Sequence, residues 1–114
     1  MIVREIVEAL SLKVVAGSQV LSQEITGGYS ADLLSCVLAR AKTGNVWVTL
    51  QSHVNVIAIA SLLELAAVII TEGTPIGEDV ITQANSKGVV LLSTPHMTFH
   101  IVGELVRLTI NANE

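Results

Sequence analysis

The run Val46-Trp47-Val48-Thr49-Leu50 is followed without a break by Gln51-Ser52-His53-Val54-Asn55, by a helix-spaced set of Val56, Ile59, Ala60 and Leu63, and by Ala67-Val68-Ile69-Ile70. The first five residues are strong β-formers and predict a strand. The polar residues after them predict a turn, with Ser52 or Asn55 as the cap of a helix that ends about Leu65. Ala67 to Ile70 is too short for a helix and apolar throughout, the pattern of a strand covered on both faces. Parallel strands need a crossover between them, usually helical, so this succession is one β-α-β unit of a parallel sheet.

The same alternation extends outward. Ile2, Val3, Ile6, Val7 and Leu10 lie on one face at helical spacing, opposite Arg4, Glu5 and Glu8. Leu12 to Ala16 is a short strand ended by Gly17, and Val20 to Gln23 is a turn or a short extended piece. Glu24 to Thr26 leads into Gly27-Gly28, read as a turn. Ser30 is the expected cap of a helix carrying Leu33, Leu34, Val37, Leu38 and Ala41, which Lys42-Thr43-Gly44-Asn45 ends. Beyond Ile70, Thr71 to Pro75 is a turn, and a helix runs from Gly77 or Glu78 to Ser86 with charges that suit its dipole. Val89 to Leu92 is a further strand, Ser93-Thr94-Pro95-His96 a loop, and Thr98 to about Ile110 a last helix; Asn111 to Glu114 is expected to fray. The expectation is a single α/β domain over residues 1–114: a three-layer α/β/α sandwich with a mostly parallel sheet of four to six strands.

Composition excludes several classes. Val, Ile and Leu number 16, 11 and 14 of 114 residues, enough for a real core and far from the composition of disorder. Mean hydropathy is +0.66, yet Val54 to Ile70 is interrupted by Asn55, Ser61 and Glu64. A carboxylate at the centre of a membrane span costs about 2.5–3.5 kcal/mol on insertion scales, so no membrane partner is expected. The first residues carry Glu5 and Glu8 where a secretory signal needs a basic end, which makes the cytoplasm the expected location. Six Lys and Arg against ten Asp and Glu leave no basic footprint for nucleic acid. The three aromatics Tyr29, Trp47 and Phe99 make no stacking platform. Cys36 sits in an apolar helical pattern and reads as a buried, inert thiol, and Trp47 as a core or subunit-contact residue.

In open parallel sheets ligands bind beyond the carboxyl ends of the strands, where loops and helix N-termini meet. The loops expected there offer Gly27, Gly28, Gln51, Ser52, His53, Asn55, Thr71, Gly73, Thr94 and His96 as candidate ligand-binding residues. Each of these loops precedes a helix, so free backbone N–H groups would favour a small anionic ligand. The same residue types also serve capping and turns without any ligand. Gly27-Gly28 belongs to neither nucleotide-binding glycine pattern, and no cofactor is expected. His96 and His100 are four apart, with His53 or Glu72 as a conceivable third metal ligand, but no further cluster supports a metal site. No Gly-x-Ser-x-Gly elbow is present and adjacent Ser52 and His53 rarely face each other, so no catalytic residue is expected.

Through Thr43 to Asn55, preceded by Ala31-Asp32-Leu33-Leu34-Ser35, the chain resembles a DRTGG-domain protein of the small stand-alone kind. The family is named for an Asp-Arg pair after one strand and a Thr-Gly-Gly turn after the next. Here Ser52-His53 holds the first place and Thr71-Glu72-Gly73 the second, so that Thr71 and Gly73 match. The resemblance implies a three-layer α/β fold similar to the N-terminal domain of HPr kinase/phosphorylase. It further implies regulatory and dimerising roles, since such domains accompany CBS domains in nucleotide-regulated pyrophosphatases and phosphate acetyltransferase domains.

The expected function is therefore a non-catalytic regulatory or scaffold module that homodimerises and takes a small anionic ligand, nucleotide or phosphorylated, at the strand ends. With only 16 charged residues in 114, apolar surface is left for a partner to cover. One alternative is a phosphate-handling or metal-assisted enzyme using His53, Glu72 and His96, which requires those three to converge. The other is a pure partner-binding subunit of a larger protein complex.

Overall fold

The computed structural model covers Met1–Glu114 and shows five strands and five α-helices. Their order is α1 (Val3–Leu10), β1 (Lys13–Ala16), β2 (Gly27–Ser30), α2 (Leu34–Arg40), β3 (Asn45–Thr49), α3 (Val54–Leu62), β4 (Ala67–Ile70), α4 (Glu78–Lys87), β5 (Leu91–Ser93) and α5 (Thr98–Arg107). A single 3-10 turn, Ser18–Val20, follows β1. The sheet order is β1-β5-β4-β3-β2, with β2 to β5 parallel and β1 added antiparallel to β5.

Every residue of β3 and β4 is buried, because both faces of these strands are covered. Trp47, Val68, Ile70 and Leu91 pack under α2, α3 and α4, through Val37, Val56, Ile57, Ala60, Val80 and Ala84. Val46, Val48, Ala67, Ile69 and Leu92 point to the other face and meet Val3 and Ile6 of α1 and Ile101 and Leu105 of α5. Three successive crossovers step across the sheet in one direction, which puts α2, α3 and α4 in one layer. After β5 the chain changes side and α5 joins α1 in the other. The connections therefore part between β4 and β5, the place at which an α/β sheet opens a crevice. No helix is long and apolar enough to cross a membrane.

The structure corrects five local expectations. Gly27-Gly28 is not a turn after a strand but the start of β2, paired in register with Asn45 and Val46. Ser30 does not cap α2: the cap position is Leu33, and the Ser30 hydroxyl donates to Val48 O. Neither Ser52 nor Asn55 caps α3; His53 does, its Nδ1 accepting from Asn55 N–H at 3.1 Å. The tail does not fray, since Asn113 Oδ1 accepts from Asn45 Nδ2 at 2.6 Å and Asn111 O accepts from Gly28 N–H at 3.0 Å. A Cβ on Gly27 would stand 2.5 Å from Asn113 Oδ1, so the glycine is what lets the tail lie against the edge strand. Cys36 is half-buried rather than buried, and Trp47 is fully buried, its indole N–H donating to Ala31 O at 2.9 Å.

Candidate functional site

Three strands end in threonine. Thr49 closes β3, Thr71 follows β4 and Thr94 follows β5, and all three are buried. A buried hydroxyl needs partners, and here they form a connected row. Asp32 Oδ1, from the loop after β2, accepts from Thr49 Oγ1 at 2.7 Å and from Leu50 N–H at 3.0 Å. Thr71 N–H and Oγ1 both donate to Thr49 O, and Thr71 Oγ1 lies 2.6 Å from Thr98 Oγ1 in the first turn of α5. The Glu72 carboxylate then accepts from Thr98 N–H at 3.2 Å. Beside it, Glu72 N–H donates to His96 O and Gly73 N–H to Thr94 O. The row stitches the carboxyl ends of β2, β3, β4 and β5 to one another.

Its effect is to consume most of the backbone donors that were expected to face a ligand, those of Ser52 and His53 excepted. The N–H groups of Leu50, Gln51, Asn55, Thr71, Glu72, Gly73, Thr94, His96 and Thr98 are all bonded within the protein. At α5 the positive helix end already meets a carboxylate, Glu72, supplied by the chain itself. Glu72 adopts φ +63 and Gly73 φ +66, a left-handed pair of residues. Glycine at the first of these positions would be unstrained, and the Glu72 side chain offsets the strain by bonding α5.

The candidate residues thus fall into three places. Gly27 and Gly28 lie at the amino end of the parallel strands, away from the rest. Gln51, Ser52, His53 and Asn55 form the loop and first turn after β3, and none of them lines a cavity. Ser52 Oγ is buried without a hydrogen-bond partner. Thr71, Gly73, Thr94 and His96 gather over β4 and β5. His53, Glu72 and His96 have separate tasks: the His53 ring caps α3, while Glu72 caps α5 and bonds the backbone of His96. No three His, Cys, Asp or Glu side chains come together in an arrangement that could hold a metal ion.

Next to this row the surface opens into a cavity of about 390 Å³ between β1, β5 and the loop after β4. Gly73, Thr74, Ser93 and Thr94 line it, with Ser11 and Lys13 opposite and Val15, Ile76 and Ile81 as an apolar wall. A second, smaller cavity of about 210 Å³ lies between β2 and α5 and is apolar, with Tyr29, Val102, Val106 and Ile110 in its lining. Sequence reasoning missed Asp32, Thr49, Thr98 and Lys13. A polar residue that ends an apolar strand was the available signal for Thr49.

The model of the DRTGG domain matches residues 5–108. The chain belongs to the DRTGG-domain family. In this DRTGG domain Ser52-His53 occupies the loop after β3 and Thr71-Glu72-Gly73 the turn after β4, so the two segments that resemble the family's name-giving pattern fall at successive strand ends. Among solved structures, the fold is similar to the CBS and DRTGG domains of the regulatory region of Clostridium perfringens pyrophosphatase, described in complex with the activator diadenosine tetraphosphate. The TM-score is 0.71 at 14% identity, over 97% of this chain and 50% of that one. The DRTGG domain described here therefore spans half the length of that regulatory region, a likeness of fold. No curated protein matches the sequence.

Proposed function

We propose that this DRTGG domain is a non-catalytic, cytoplasmic regulatory module that pairs with a second copy of itself and binds a small anionic ligand beyond the carboxyl ends of its strands. The observation that carries the ligand reading is the cavity of about 390 Å³ beside the parting of the connections, lined by Gly73, Thr94 and further hydroxyls. Nucleotide activation of the pyrophosphatase regulatory region supports the same class of role. The non-catalytic reading is supported by the polar groups nearby, which hold the loops to one another; the one hydroxyl bonded to a carboxylate, Thr49 on Asp32, is fully buried.

Self-association is supported by the outer face of α5, where Phe99 is 91% exposed and Val106 52%, seven residues apart on one helix stripe. Sedimentation at micromolar concentration is expected to give a dimer, and Phe99→Asp a monomer; a wild-type monomer removes this part. The same exposed stripe favours a second reading, a subunit that docks on another protein through α5. Thermal unfolding with a panel of nucleotides and phosphorylated metabolites tests the ligand part. A ligand at 100 times its dissociation constant adds about 2.7 kcal/mol of stability, and no shift with any member contradicts binding.

A further inference from the structure

Lys13 is one of only six Lys and Arg residues in the chain, and it makes no ion pair. It sits directly opposite Ser93 in the antiparallel β1–β5 ladder, so the two side chains project from the same face of the sheet. That face is the floor of the 390 Å³ cavity, and no carboxylate lines it. Glu72, the nearest acid in sequence to the Gly73-Thr74 wall, is turned to α5 and bonded there.

The donors around Lys13 differ from those of the threonine row. The hydroxyls of Ser11 and Ser93 bond to nothing in the protein, and Thr94 Oγ1 only accepts, from His96 N–H, which leaves its own O–H to donate. Backbone amides take no part, since Gly73 and Thr74 N–H are used within their turn and its neighbour. An ammonium and three hydroxyl donors in the lining of one cavity suit a group with three terminal oxygens and about two negative charges. On the other side Val15, Ile76 and Ile81, each half-buried on the rim of the core, form an apolar wall for an uncharged body.

We propose that this cavity is a phosphomonoester site, with Lys13, Ser11, Ser93 and Thr94 holding the phosphate and Val15, Ile76 and Ile81 the body of the molecule. The proposal rests on the strand-end ligand reading and narrows it. One lysine in a chain of net charge −4 offsets about half the charge of a single phosphomonoester and a much smaller share of a polyphosphate's, so monophosphates are preferred over di- and triphosphates. Lys13 is the residue that recognises the charge.

Amide chemical-shift mapping of the full chain with AMP, adenosine and inorganic phosphate tests this, with Lys13→Gln and Lys13→Arg as variants. AMP is expected to move the amides of residues 11–15, 73–74 and 93–95. Lys13→Gln is expected to weaken it at least tenfold, Lys13→Arg to restore most of the affinity, and adenosine to bind at least tenfold more weakly than AMP. Shifts by AMP confined to residues 51–55 overturn the site but leave the strand-end reading standing. Shifts at residues 11–15 that adenosine reproduces and Lys13→Gln does not diminish overturn the phosphate assignment. No shift with millimolar AMP or phosphate overturns this proposal and removes the monophosphates from the broader reading, which the polyphosphates of the panel would then carry alone.

Discussion

Two polar regions lie side by side at the carboxyl end of the sheet, and they differ in what their groups are doing. In the row from Asp32 through Thr49 and Thr71 to Thr98 and Glu72, donors and acceptors meet within the protein. In the cavity between β1, β5 and the 73–74 turn, the lining includes Lys13, Ser11 and Ser93, whose side chains bond to nothing in the protein. The lesson is that polar residues at strand ends are not equivalent evidence of a site. Buried groups that satisfy one another fix the loops, and unpartnered groups next to a cavity are the ones a ligand can use.

The contrast yields predictions in descending size. Thr71→Val keeps the shape but removes the hydroxyl between Thr49 O and Thr98 Oγ1. It is expected to destabilise the fold by about 1–3 kcal/mol, read by urea unfolding with the single buried Trp47 as fluorescence reporter. Combining it with Thr98→Val should cost clearly less than the two single changes summed, because both partners of one bond are then gone; strict additivity would show that the row is not connected. Asp32→Ala removes two bonds at a more exposed position, from Thr49 and Leu50, and is expected to cost about 1 kcal/mol.

Glu72→Gly exchanges a left-handed non-glycine residue for the one that adopts φ +63 freely, while losing the bond to Thr98 N–H. The two effects oppose each other at about 1 kcal/mol each, so stability should move by less than about 0.5 kcal/mol. The sign is read from faster amide exchange at the start of α5. Lys13→Gln, at an exposed position without an ion pair, should leave stability unchanged within about 0.5 kcal/mol. A large loss there would mean that Lys13 belongs to the scaffold.

How far the sequence reaches is visible in particular elements. The strands β3 and β4 were legible because they are apolar on both faces, and the helix between them because its apolar residues recur at three and four. The β2 strand, Gly27-Gly28-Tyr29-Ser30, carries no such pattern: it is an edge strand whose glycines admit the chain's own tail. Its glycines were therefore placed at the wrong end of the sheet. His53 was expected in a loop, and the preference of its ring nitrogen for its own helix start is a local geometry that composition does not carry. Lys13 reads as an ordinary edge-strand charge until β1 pairs with β5 and brings Ser93 opposite it, a contact between residues at the two ends of the chain. Thr71 and Gly73 stood out through the family's pattern, but that Thr71 works inside the protein and Gly73 beside the cavity is visible only in three dimensions.

The most direct test is thermal unfolding followed by Trp47 fluorescence, with AMP at 100 times its dissociation constant for the wild type. Wild type and Thr71→Val should both gain about 2.7 kcal/mol, each from its own starting stability, and Lys13→Gln should gain far less. A gain that survives in Lys13→Gln and disappears in Thr71→Val would put the ligand on the threonine row and contradict the division between the two regions.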